Sequence, residues 1–124
     1  MYRLERAKNT MIDAKKYFGD ATAESTVNRI YYAIFYAVNA LLITKGLSAS
    51  KHSGIRALFN KEIVNNGLME KEMGRFYSSM FDRRQKGDYT DFVRFEKKDV
   101  EIWLKKAEEF ITKIEELTLK LITS

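Results

Sequence analysis

The stretch Asn28-Arg29-Ile30-Tyr31-Tyr32-Ala33-Ile34-Phe35, running on to Ala40-Leu41-Leu42, decides the fold. From Tyr31 through Val38 every residue is apolar or aromatic, so a helix made of it is covered on all faces. A helix of that kind belongs in a protein interior. In a small bundle this leaves two placements. Either the helix is the central element, or its outer face meets another subunit. The second placement predicts a homodimer through this helix and its neighbours. The apolar run from Ile30 to Ile43, interrupted by Asn39, is shorter than the roughly 20 residues that span a bilayer.

The segments around this stretch read as helices too. Leu4, Ala7, Met11, Ala14 and Phe18 repeat at spacings of three and four, predicting a helix over about residues 2–18. The central helix is expected over 22–45, with Thr22 as its N-cap. A third is expected over 51–64, capped by Ser50, with Ile55, Leu58, Phe59 and Ile63 inward. A fourth is expected over 69–86, turning Met69, Met73, Phe76, Tyr77 and Met80 inward. The last, over 96–122, carries the cleanest stripe: Val100, Trp103, Ala107, Phe110, Ile114, Leu117 and Leu121. No segment alternates long enough to be a strand, and there is no proline to kink a helix. Gly19, Gly46, Gly67 and Gly87 each stand where a helix is expected to close. Short connections imply antiparallel neighbours. The expected fold is all-α, an up-and-down bundle of four to five helices forming one domain over 1–124.

Composition narrows the chemistry. The chain has no cysteine and one histidine, so thiolate metal sites, disulfides, histidine metal clusters and a Ser-His triad are not expected. No cofactor and no metal site are anticipated. Phosphate-loop and dinucleotide-binding glycine patterns are absent, and no Asp-x-Asp loop offers a calcium site. The N-terminus carries no apolar signal segment, and a soluble, cytoplasmic protein with no membrane partner is expected. Net charge is +5. Lys and Arg outnumber Asp and Glu seven to four in residues 1–50 and eleven to eight in 51–100, but are outnumbered four to five in 101–124. The basic excess lies outside the last helix and suits a phosphate-bearing partner. Glu108-Glu109 and Glu115-Glu116 read as a solvated face with Lys105, Lys106, Lys113 and Lys120 as helical neighbours.

Two segments can carry chemistry. In the central helix, Arg29, Tyr32, Tyr36 and Asn39 follow one another at three, four and three residues and form a second face. Guanidinium, phenol and amide groups can hydrogen-bond phosphate and stack on bases. They can equally be interface aromatics with satisfied hydroxyls and an arginine paired to a carboxylate. The second segment is Phe81-Asp82-Arg83-Arg84-Gln85-Lys86-Gly87-Asp88-Tyr89, which gathers cations at a helix end, where the helix dipole favours them. Arg83 and Arg84 leave the helix about 100° apart, so sequence alone does not say which one faces inward. Arg75 extends a basic strip. His52, at the start of the third helix, is either a capping or exposed histidine, or a partner for phosphate and a general base if it folds near the arginines.

Taken together these segments resemble the HEPN family of small helical bundles, over nearly the whole chain. The resemblance rests on Arg29, Tyr31, Tyr32, Ala33, Phe35, Ala40, Leu41 and Leu42, on His52 before the third helix, and on Arg83 or Arg84 followed by Asp88-Tyr89. It implies a dimeric bundle linked to nucleotides or RNA. It also implies a minimal nucleotidyltransferase as partner protein, in a toxin–antitoxin or accessory pair. Many HEPN members resemble metal-independent ribonucleases, in which an arginine is followed by a histidine after four to six intervening residues. Here the window after Arg83 holds Asp88, Tyr89 and Thr90, and the window after Arg84 holds Tyr89, Thr90 and Asp91. Without that histidine, the reading is a non-catalytic or degenerate nucleotide- or RNA-binding module using Arg29, Tyr32, Arg83, Arg84, Asp88 and Tyr89. Asp88 beside two arginines would stay ionised and orient one of them. The alternative is a metal-independent endoribonuclease using Arg83 or Arg84 with His52. A third reading makes Arg29, Asp88 and the tyrosines a buried network that fixes helix packing.

Overall fold

A computed structural model describes residues 2–20, 22–89 and 95–123, with the side chains at 17, 20 and 86–89 outside that description. The order is α1 (Tyr2–Asp20), α2 (Ala23–Thr44), α3 (His52–Leu58), a π-helical segment (Phe59–Val64), α4 (Lys71–Tyr89) and α5 (Lys97–Thr123). The described residues are mostly helical, in five α-helices and the π segment, with no strand among them.

The all-round apolar helix is the central one. Eleven residues of α2 are buried, among them Val27, Tyr31, Ile34, Val38 and Leu41. It packs against α1, α4 and α5 and touches α3. At 22 residues α2 is long and apolar enough to cross a membrane by length and composition, and most of it is buried by its neighbours. Its start is set by Thr22, whose hydroxyl accepts the Ser25 amide at 3.1 Å.

The stripes of the other helices close on this core. Leu4, Ala7, Met11 and Ala14 of α1 are buried, as are Met73, Tyr77, Met80 and Phe81 of α4. On α5, Val100, Leu104, Ala107, Phe110, Ile111 and Ile114 are buried, and Trp103, Leu117 and Leu121 pack at the margin. The carboxylates of α5 reach across the bundle. Glu115 pairs with Lys8 and Glu108 with Lys15, while Glu109 takes Lys113 of its own helix at 3.8 Å. The order of the α1 pairs shows α1 and α5 running antiparallel. Arg83 beside Trp103 and Glu70 beside Lys113 show the same for α4 and α5.

Helix ends depart from expectation in several places. Gly46 and Gly67 have φ of 75° and 77° and close their helices. In each case two amides turn back: Gly46 to Ile43 and Leu47 to Leu42, then Gly67 to Val64 and Leu68 to Ile63. Gly19 and Gly87 do not close theirs, since α1 continues to Asp20 and α4 to Tyr89. The N-cap position of α3 is Lys51, not Ser50, and no side chain caps it.

The largest departure is the π winding of Phe59–Val64, where the Asn65 amide bonds the Asn60 carbonyl at 2.8 Å. A π turn is wider than an α turn. Gly74 makes room for it. A Cβ at position 74 would stand 2.8 Å from Asn60 Oδ1 and 3.1 Å from Val64 Cγ2.

Candidate functional site

Two adjacent tyrosines of α2 organise the site. Tyr31 is fully buried and Tyr32 half-buried. A buried phenol needs a partner for its hydroxyl. Tyr31 finds it in His52, the first residue of α3, whose Nδ1 lies 2.8 Å away. The imidazole lies flat on Phe35, with centroids 4.2 Å apart and planes 6° from parallel. It also meets the Tyr32 ring edge-on at 5.8 Å. Residues 31, 32 and 35 of one helix therefore cradle a side chain from the next.

Arg84 comes to the same rings from α4. Its Nη2 donates to the Tyr32 hydroxyl at 3.0 Å. Its guanidinium carbon is 5.2 Å from the Tyr32 centroid and 5.5 Å from that of Tyr31. Arg56 of α3 flanks the cluster, covering Phe81 at 4.3 Å and reaching Asp82 at 3.4 Å.

The electrostatics follow from burial. Desolvation pushes the Tyr31 phenol up to about 12, with Tyr77 and Arg84 opposing the rise. Tyr77 is raised well above its ordinary value, chiefly by burial. Its hydroxyl has no partner in hydrogen-bond geometry among the described residues. His52 is lowered, first by burial and then by the charge of Arg84. At neutral pH His52 is a neutral imidazole and Tyr31 keeps its proton, beside the guanidinium of Arg84.

The anticipated site residues divide into four groups. Arg84, Tyr32 and His52 stand together. Arg83 points the other way, its guanidinium 4.5 Å from the Trp103 ring, in a cleft of about 420 Å³ between α4 and α5. Arg29 is exposed and lines a groove between α1 and α2 with Arg6, Asp13 and Tyr36, so it does not join Arg84. Asp88 and Tyr89 belong to the last turn of α4, with side chains outside the described residues. The helix expected to end at residue 86 runs on through Gly87 and Asp88 to Tyr89.

Tyr31 and Phe35 are not among the site residues expected from the sequence. The signal available was a phenol deep on an apolar face, which must find a hydrogen-bond partner nearby.

The assembled groups can hold an anion between guanidinium and imidazole and offer a half-exposed ring to a base. Among the described residues, no group of three His, Asp or Glu side chains is placed to hold a metal.

Comparison with known proteins agrees with this architecture. The HEPN domain model matches residues 1–117. A UPF0332 protein of Thermotoga maritima is 50% identical over 116 residues, covering 94% of this chain and 88% of the relative. Two Methanocaldococcus jannaschii proteins, MJ0605 and MJ0142, bear names that describe them as candidate toxins. The first is 33% identical, covering 96% of this chain and 88% of the relative. The second is 30% identical, covering 89% and 75%. The chain belongs to the HEPN domain family.

Proposed function

We propose that this HEPN domain is a toxin-type binding module that holds RNA, or a nucleotide phosphate, at the Arg84–Tyr32–His52 surface. The observation that carries this reading is the convergence of Arg84 and His52, from different helices, on the same tyrosine pair. A guanidinium suits a phosphate, and the ring of Tyr32 suits a base. The names of the two archaeal relatives support a toxin-like role. The partners this reading carries are a second copy of the chain, meeting the half-buried outer face of α2, and a nucleotidyltransferase acting as antitoxin in the cytoplasm.

A second reading draws on the same convergence. Arg84 with His52 would make a metal-independent endoribonuclease, the histidine arriving from α3 and not from the end of α4. Labelled total RNA incubated in EDTA, run on native and denaturing gels, separates the two. The binding module gives a shifted band with intact RNA, lost in Arg84→Ala. Cleavage that disappears in His52→Ala would favour the nuclease. Neither shift nor cleavage would set aside both.

A further inference from the structure

The buried side of the site bears on what its histidine can do. His52 Nδ1 faces the fully buried Tyr31 hydroxyl at 2.8 Å. The ring is held by Phe35 beneath it and Tyr32 at its edge. Nε2, across the ring from Nδ1, makes no hydrogen bond to protein among the described residues, and the residue is half-buried. One nitrogen is therefore committed to the interior while the other is left for a ligand.

Two proton placements satisfy the Tyr31–His52 contact. In one, the hydroxyl donates to a bare Nδ1, and the ring proton sits on Nε2. In the other, Nδ1–H donates to the phenol oxygen, and the Tyr31 proton must find a different acceptor. The buried neighbour is Tyr77, whose hydroxyl has no partner in hydrogen-bond geometry among the described residues. If Tyr31 donates to it, the Tyr77 proton is left over instead. The second placement would leave a buried hydroxyl proton unsatisfied, which native interiors avoid. The tautomer of a histidine is set by the hydrogen bond at its other nitrogen.

We propose that Tyr31 fixes His52 in the Nε2–H form, so that the imidazole serves beside Arg84 as a neutral donor to a phosphoryl oxygen and not as a base. This rests on the RNA-binding reading for its ligand, but the proton placement is a property of the free protein. A base must offer a lone pair to the proton it takes. In this form the only lone pair in the ring plane is on Nδ1 and is occupied by Tyr31. Passing the Nε2 proton outward would require Tyr31 to give up its own proton in a buried site. His52 can therefore grip a phosphate and is poorly placed to activate a ribose hydroxyl. Tyr31 is a positioning residue that acts through His52.

The single histidine makes the test direct, because one imidazole gives one set of signals. Protein labelled with ¹⁵N-histidine is examined by long-range ¹H–¹⁵N correlation at pH 8. The expected pattern is a bare Nδ1 and a protonated Nε2, relaxing toward a mixture of tautomers in Tyr31→Phe. A protonated Nδ1 in the wild-type protein overturns the proposal, whether or not the variant folds. So does a tautomer left unchanged in a folded Tyr31→Phe protein. Oligouridylate is then added to the wild type. A shifted Nε2–H signal with Nδ1 still bare is expected, and an imidazolium formed on binding would overturn the donor role. If the free protein shows the expected tautomer but oligouridylate shifts no signal in any form, the RNA-binding reading fails and the Tyr31 lock stands.

Discussion

Arg84 donates to the Tyr32 hydroxyl at 3.0 Å, while its neighbour Arg83 lies against Trp103 on the opposite side of α4. Two adjacent cations thus serve different surfaces. If RNA is held at the tyrosine pair, Arg84→Ala should weaken binding by about 1.5–3 kcal/mol, the worth of a charge-assisted hydrogen bond, or roughly tenfold or more. Arg83→Ala should change affinity far less. Fluorescence anisotropy with labelled single-stranded RNA at fixed salt measures both, since phosphate contacts are salt-dependent. Equal losses in the two variants would argue for diffuse charge and against a site.

The depressed pKa of His52 carries a stability signature. The unfolded chain titrates this imidazole near its ordinary 6.5, and burial with Arg84 lowers the folded value. Between those two values the unfolded chain holds more protons, so stability falls as pH drops through that window. Above the ordinary value the contribution is fully present. The charged and polar groups facing the ring are Arg84 from α4 and the phenols of Tyr31 and Tyr32 from α2. His52→Gln should therefore flatten the decline in Tm between pH 7 and pH 5 relative to wild type. Parallel profiles for the two proteins would show that His52 is not the group responsible.

Much of this was legible in the sequence, for reasons that can be traced. The α5 stripe was read directly because one apolar face per turn leaves little choice of orientation. The uniform apolarity around Tyr31–Val38 marked α2 as either central or shared with another subunit, and that α1, α4 and α5 close around it is tertiary information. The π turn was not legible. Phe59 and Ile63 fit an α pattern as well as a π one, and the missing Cβ of Gly74, which leaves room for the wider winding, lies on another helix. The separation of Arg83 from Arg84 was recoverable in part. Seven residues make nearly two turns, so Arg84 shares the face of Tyr77 and Arg83 that of Phe76. Tyr77 packs on Tyr31 and Phe76 on Phe110. That the first face meets α2 and the second α5 is tertiary information. So is the meeting of His52 with Tyr31, 21 positions apart.

The glycines divide by what surrounds them. Gly46 has open space around a built Cβ but φ of 75°. Gly46→Ala should cost about 1–2 kcal/mol from the left-handed backbone alone, seen as a fall of several degrees in Tm. Gly74 has ordinary helical φ, and Ala there gains helix propensity of roughly 1 kcal/mol against contact with Asn60 and Val64. Because the Asn60 amide can swing away, Gly74→Ala should be the milder change, while Gly74→Leu should be strongly destabilising through the buried Val64. Thermal melts of the three variants check this ordering, and a Gly46→Ala protein as stable as wild type would contradict it.

Tyr77 and Tyr31 are both buried phenols, yet their hydroxyls should differ in worth. Tyr31 satisfies its hydroxyl on His52, whereas Tyr77 holds a buried hydroxyl outside full hydrogen-bond geometry. Burying a polar group without a good partner costs free energy, so removing it gives that cost back. Tyr77→Phe should leave stability within about 0.5 kcal/mol of wild type or raise it, because the ring keeps its packing against Phe59 and Phe110. Tyr31→Phe should lower stability by about 0.5–1.5 kcal/mol, the net worth of one hydrogen bond. Above pH 10 the comparison changes. The unfolded chain ionises its phenols near 10 while Tyr31 holds its proton to about 12, so wild-type stability falls as pH rises through that range. Tyr31→Phe should lose part of that alkaline slope. Urea unfolding at pH 8 and at pH 10.5 measures both effects. A Tyr77→Phe protein destabilised as much as Tyr31→Phe would mean that the Tyr77 hydroxyl bonds Tyr31 well enough to count as a satisfied partner.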